Sequence, residues 1–119
     1  MGDERQAMSC LFCGIVAGDI PATVVQETER TIAFRDLNPA APTHVLVIPR
    51  DHHANVADLA EVDPAYAGEV LAAAAAVARQ EGLTGGYRLV ANTGDDAGQT
   101  VHHLHIHVLG GRSMSWPPG

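Results

Sequence analysis

Aromatic residues are scarce: two Phe, two Tyr and one Trp make up 4% of the 119 positions. Burial must therefore rest on Val and Leu. The apolar fraction of 46% overstates the core, because 19 of the 55 apolar residues are Ala. Leu, Ile, Val and Phe still number 28. That share clears the level of roughly 20% below which a chain is expected to stay disordered. Cations are also scarce, with seven Lys and Arg against fourteen Asp and Glu for a net charge of −7. Nucleic-acid binding draws on a surplus of cations to displace counterions. Nucleic acid and anionic membrane are therefore excluded as partners. Any phosphate held here must be held by local donors, meaning backbone N–H, hydroxyl or imidazole groups. No apolar run nears the roughly 18 residues of a membrane span, and the polar stretch 1–7 shows no signal-peptide pattern. There are only two Cys, spaced C-x-x-C. Without a secretion signal, this spacing fits a reducing compartment and points to metal or redox use over a structural disulfide. The expected address is the cytoplasm.

A length of 119 residues and a mass of 12.5 kDa suit one domain, small enough to gain from a metal or a second subunit. Residues 1–8 read as a loose polar leader and 9–119 as the domain. A short helix is predicted over 11–17, where Leu11, Phe12 and Ile15 fall at helical spacing and Gly18 can end it. Extended runs follow at 23–27 and 31–35, then Pro39 and Pro42 mark a loop. HVLVI, 44–48, is a nearly continuous apolar strand stopped by Pro49. The long helix is predicted over 63–81, with Asp63 as N-cap, Pro64 in the first turn and Gly82 past the end. Its apolar stripe is Tyr66, Val70, Ala74 and Val77. Strands at 87–93 and 102–109 close the domain, ahead of a Pro-ended tail. The expected class is α+β, with a mainly antiparallel five-stranded sheet, one long helix and a short N-terminal helix.

Four of the seven His lie within six residues: His102, His103, His105 and His107. On a strand, His103, His105 and His107 would share one face while Ile106 and Val108 serve the other. Each buried imidazole needs hydrogen-bond partners, and leaving one unpaired costs on the order of 1–3 kcal/mol. Three readings remain: a solvated edge, a three-histidine metal site, or a cluster that handles a phosphate anion. Imidazole suits the last, being both a nucleophile near neutral pH and an N–H donor. Just upstream, NTGDDAGQT (92–100) offers glycines, including Gly98, that let backbone N–H groups approach an anion, and the Thr100 hydroxyl. By itself such a stretch is more often a turn. Asp95 and Asp96 count against a naked anion nest unless they point away.

HLHIHVL (103–109) resembles the histidine triad, His-φ-His-φ-His-φφ with φ apolar. Together with APTHVLVIPR (41–50), GYRLVANTGDDAGQTVHHLHIHVLGGR (86–112) and the terminal WPPG (116–119), it is similar to the histidine triad nucleotide-binding proteins. The similarity runs from about Cys10 to Gly119 and implies the fold of that family. It points to the branch that cleaves purine nucleoside phosphoramidates, typically as homodimers. By that resemblance His105 is the nucleophile at the α-phosphorus, and His107 donates to a phosphate oxygen with the Thr100 hydroxyl and the Asn92 amide. The family usually has Ser where Thr100 stands. The hydroxyl is kept, and the added methyl would slow the reaction or narrow the leaving groups. Asp36 would bind the ribose hydroxyls, His44 would orient the triad, and Leu11, Phe12, Ile15, Phe34 and Leu37 would sandwich the purine. Trp116 would flank the leaving-group side. Blander roles stand beside these: Phe34, Leu37 and Ile15 as core, Asp36 as a turn cap, Trp116 as a packing aromatic at a dimer contact.

Cys10-x-x-Cys13 is half of a tetrahedral zinc site. Zinc-carrying relatives complete it with the His after the P-R-x motif and the first His of the triad, which here are His52 and His103. His53 is an adjacent substitute for His52, and two thiols without metal are the other reading. Four protein ligands would make the zinc structural, with no open position for water. The rival functions are dinucleoside polyphosphate hydrolysis, nucleotide binding without turnover, and a small zinc-binding interaction module.

Overall fold

The computed structural model describes residues 10–119, so the leader expected at 1–8 lies outside the described residues. Helix α1 spans Leu11–Ala17, followed by β1 (Val24–Glu27), β2 (Thr31–Arg35) and β3 (Thr43–Pro49). Helices α2 (Val56–Val62) and α3 (Pro64–Gln80) come next, then β4 (Tyr87–Val90), a 3₁₀ turn (Asp95–Ala97) and β5 (Ile106–Gly110). The five strands form one antiparallel sheet in the order β1-β2-β3-β5-β4. This is the expected α+β class.

Strand alternation divides the sheet into two faces. Ala33, Val45, Val47, Ile106 and Val108 point to one face and pack under Tyr66, Val70, Ala74 and Val77 of α3. Val70 and Val77 are fully buried, each stabilising the fold by about 1.5–3 kcal/mol. The alanines between them keep α3 thin enough to lie close to the strands. Both ends of α3 obey their sequence signals. Asp63 Oδ1 accepts the Tyr66 N–H at 3.0 Å. At the other end, Gly82 N–H donates to Arg79 O at 3.1 Å and Leu83 N–H to Ala78 O at 3.0 Å. This closure needs the left-handed φ of 73° that Gly82 supplies.

The second face carries Ile32, Phe34, Leu46 and Ile48, covered by Phe12 of α1. The rest of that face holds the histidines. Three expectations are corrected. The last strand begins at Ile106, not 102, because residues 101–105 are tied to the segment after β3 by Leu104 N–H donating to His53 O at 2.6 Å. Strand β4 stops at Val90, three residues short of the expected end at 93. Helix α2 was not foreseen. It is only seven residues long, buries only Leu59, and is capped by Asn55 Oδ1 accepting the Asp58 N–H at 2.9 Å.

Candidate functional site

His44 on β3 pairs across the ladder with Leu109 of β5, and Leu46 with His107. His44 and His107 are therefore diagonal neighbours on one face, within reach of each other. The hydrogen bonds then assign the protons. Ala40 N–H donates to His44 Nδ1 at 3.0 Å, so His44 carries its proton on Nε2. That nitrogen lies 2.9 Å from His107 Nδ1 and 3.5 Å from an Asp36 carboxylate oxygen. His107 accepts at Nδ1 and carries its own proton on Nε2, a buried atom with no hydrogen-bond partner. A buried donor left unpaired in this way costs on the order of 1–3 kcal/mol unless a ligand accepts from it.

His105 lies just before β5, with its ring centroid 5.0 Å from that of His107. Its Nδ1 donates to the His103 carbonyl at 2.8 Å, which leaves Nε2 as the unprotonated, nucleophilic nitrogen. Burial holds His105 below the ordinary histidine pKa of 6.5. Burial, reinforced by His105 and His44, lowers His107 to about 4. At neutral pH both rings are thus neutral, His105 with a free lone pair on Nε2 and His107 with an N–H donor. The cluster therefore needs no basic field, in a chain of net charge −7.

The apolar residues expected around the purine separate into two groups. Phe12 and Phe34 meet edge to face at 5.4 Å, Phe12 meets His105 at 5.1 Å, and Ile15 packs on the same cluster. Leu11 and Leu37 do not join them: Leu11 is half-exposed and Leu37 is 90% exposed. Trp116 is 80% exposed and makes no ring contact among the described residues. Asp36 has the two attachments expected of a turn residue beside a histidine. Its Oδ1 accepts the Asn38 N–H at 2.8 Å and its Oδ2 faces His44.

The loop between Asn92 and Thr100 closes on itself. Ala97, Gly98 and Gln99 N–H groups donate to the carbonyls of Gly94 or Asp95. The Gly98 amide is therefore used inside the loop, and its φ of 82° is what requires glycine there. Asp95 and Asp96 are both exposed, Asn92 is half-buried and Thr100 is exposed. Sequence reading missed Gln99. It is 5% exposed, and its amide donates to Ala54 O at 2.7 Å and Val101 O at 3.1 Å while accepting the Gly94 N–H at 3.0 Å. A Gln inside a polar loop gives no local sign of burial.

The cysteines come together with His52 and His103. Cys10 Sγ, Cys13 Sγ and one nitrogen of each imidazole lie within 4.8 Å of one another. His103 Nδ1 is 3.3 Å from Cys10 Sγ and 3.5 Å from Cys13 Sγ, and His52 Nδ1 is 3.4 Å from Cys13 Sγ. Zinc bonds of about 2.3 Å to sulfur and 2.0–2.1 Å to nitrogen give a tetrahedron with sulfur–nitrogen edges of about 3.6 Å, close to these separations. His103 Nε2 donates to Pro49 O at 2.9 Å, which frees Nδ1 as a donor atom and supplies the outer-shell bond typical of a ligating histidine. The residues fit a Cys₂His₂ zinc site. Without metal, burial raises the Cys13 thiol to about 11 and lowers His103 to about 4. His53 stands outside the cluster, its ring 5.8 Å from that of Tyr66.

The chain is 49% identical to a 14 kDa zinc-binding protein of Zea mays, over 92% of this chain and 87% of the relative. A crystal structure of an HIT family hydrolase from Legionella pneumophila Philadelphia 1 superposes with a TM-score of 0.88 at 50% identity, covering 92% of this chain and 99% of that one. The crystal structure of a histidine triad nucleotide-binding protein from Candida albicans gives 0.78 at 30% identity, over 92% and 84%. The HIT domain model matches residues 17–114. By that match, and by the fold and histidine arrangement that accompany it, this chain belongs to the HIT domain family.

Proposed function

We propose that the protein hydrolyses purine nucleoside phosphoramidates and related conjugates of nucleoside monophosphates. One observation carries the reading: a buried His107 Nε2–H with no partner, beside a His105 whose Nδ1 is committed to a main-chain carbonyl. A phosphoryl group placed between them meets a nucleophile and a donor fixed in advance, the arrangement that most lowers a phosphoryl-transfer barrier. His105 Nε2 attacks the α-phosphorus, the phosphorus–amine bond breaks, and the amine departs with a proton taken from solvent, which the attacking water returns in the second step. Water then attacks the nucleotidyl-histidine, the phosphorus–His105 bond breaks, and AMP or GMP leaves with the imidazole restored. His107 Nε2–H stabilises charge on a phosphate oxygen in both steps, assisted by Thr100 and Asn92. Asp36 receives the ribose hydroxyls, and Phe12, Phe34 and Ile15 wall the base, with Leu11, Leu37 and Trp116 at the rim.

Zinc bound by Cys10, Cys13, His52 and His103 would be structural, joining α1 to the sheet, because four protein ligands leave no open position. The working form in this reading is a homodimer in the cytoplasm. Strand β4 is one of the two outer strands of the sheet. Beside it runs a groove of about 380 Å³ lined by apolar residues and glycine, among them Val56, Gly68, Leu71 and Leu89. A second copy is the occupant whose matching edge and apolar face would cover both.

The test is turnover of adenosine 5′-phosphoramidate by wild type and His105→Ala, beside turnover of a dinucleoside polyphosphate. AMP release from the phosphoramidate that vanishes in the mutant, with fold and zinc content intact, is the expected result. Faster turnover of the dinucleoside would move the substrate class. Equal activity in the two proteins would remove the nucleophile.

A further inference from the structure

The Cys/His cluster and the proposed nucleophile are neighbours along the chain and through packing, and two residues make the connections. His103 contributes its ring to the cluster and its carbonyl to His105 Nδ1. Phe12 stands between Cys10 and Cys13 in sequence, and its ring packs edge-on against His103 at 5.9 Å and His105 at 5.1 Å. We propose that the metal-bound Cys10–Cys13–His52–His103 cluster positions His105 for reaction, with His103 and Phe12 as the positioning residues. The proposal rests on the reading of His105 as the nucleophile.

The physical basis is tautomer choice. A free imidazole favours its proton on Nε2, whereas attack on phosphorus needs the lone pair there. The His103 carbonyl enforces the opposite tautomer only while it points at Nδ1, because a lone pair facing that oxygen would be repelled. The direction of the carbonyl is set by the His103 ring, held at Pro49 O on one side and in the cluster on the other. Leu104 N–H on His53 O fixes the next peptide. With metal bound, both sulfurs and both imidazoles are locked, and α1 is anchored to the sheet at its first turn. Without metal, His103 Nδ1 keeps only thiol contacts, which are weak hydrogen bonds. A helix of seven residues has little stability of its own to hold Phe12 in place.

The experiment compares the full-length protein loaded with zinc, stripped with a chelator, and reloaded with zinc. It reads kcat and KM for adenosine 5′-phosphoramidate, AMP affinity by calorimetry, and the His105 ring nitrogens by nitrogen-15 NMR. On stripping, kcat is expected to fall about tenfold or more, while AMP affinity changes by less than about threefold. The His105 signals should pass from a single Nδ1–H tautomer to a mixture, and zinc should restore both. An unchanged kcat and tautomer in protein shown to be metal-free would overturn the proposal. Collapse of kcat, AMP binding and far-UV circular dichroism together would also overturn it, leaving the cluster a folding support alone. Phe12→Leu in zinc-loaded protein tests the packing connection without removing metal. It should lower kcat and mix the tautomers, and an effect confined to KM would strike Phe12 from the mechanism. His105→Ala separates the two readings. If AMP still forms in that variant, the functional reading fails, while the NMR comparison still decides whether metal sets the tautomer.

Discussion

Replacing Gln99 with Met tests whether one buried amide holds the loop that ends at Thr100. The side chains are similar in length, so the change removes polarity with little change of volume. Three hydrogen bonds are lost, to Ala54 O, Val101 O and Gly94 N. Each contributes about 0.5–1.5 kcal/mol net. Water can reach part of the exposed Gly94 end, and burying the thioether offsets part of the loss. A net destabilisation of about 2 kcal/mol follows, which for a domain of this size lowers Tm by about 8 °C. Urea denaturation reads the stability, and turnover of adenosine 5′-phosphoramidate reads the loop, with kcat expected to fall because Thr100 is no longer held. Gln99→Glu adds a pH signature. Its carboxylate would keep the bond from Gly94 but face two carbonyl oxygens, so the folded state raises its pKa above the ordinary value of about 4.3. The folded form then binds the extra proton, and the deficit grows as pH rises from about 4.3 to the raised value. A Gln99→Met protein within about 0.5 kcal/mol of wild type, with unchanged turnover, would refute the reasoning and assign the loop's position to the Leu104–His53 bond.

Acid should weaken the fold through His107. Its pKa is lowered from 6.5 to about 4, so between those values the unfolded chain takes up a proton that the native one refuses. Stability therefore falls as pH drops from 6.5 towards 4. Urea midpoints at pH 7 and pH 5 should differ less in His107→Gln than in wild type, and equal differences would contradict the assignment. Asp63→Ala removes the cap on Tyr66 N–H and should cost about 1 kcal/mol, measured by denaturant titration. A loss within error would show that packing alone starts α3. Leu89→Arg places a charge in the apolar groove beside β4. Sedimentation should show a dimer for wild type and a monomer for the variant, and a wild-type monomer at micromolar concentration would end the dimer reading.

Local rules made the two main helices legible. The Asp63-Pro64 start and Gly82 stop of α3, and the Gly18 stop of α1 with its φ of 82°, are signals carried within a turn of the chain. The stripe of Tyr66, Val70, Ala74 and Val77 was equally readable, since helical periodicity alone states which face is buried. Short elements were less so. Helix α2 presents only Leu59 to the core, too little pattern to separate it from a loop. The start of β5 depends on a bond from Leu104 to a carbonyl 51 residues earlier in the chain.

The sequence by itself determined the chemistry available: imidazoles at alternate positions, a Cys pair at metal spacing, and too few cations for phosphate to be held by charge. The resemblance to zinc-carrying relatives, not spacing, joined His52 and His103 to that Cys pair, and the fold brings the four together. Only the tertiary structure decided what each imidazole does. For two of them proton placement follows from partners remote in sequence, His44 for His107 and Pro49 for His103, and the Gln99 amide that steadies the loop likewise reaches Ala54. Hydrogen bonds of that kind depend on which strands lie side by side. Two histidines of one motif, His103 and His105, thus came to lie in different surroundings, one turned into the Cys/His cluster and the other with its Nε2 unprotonated.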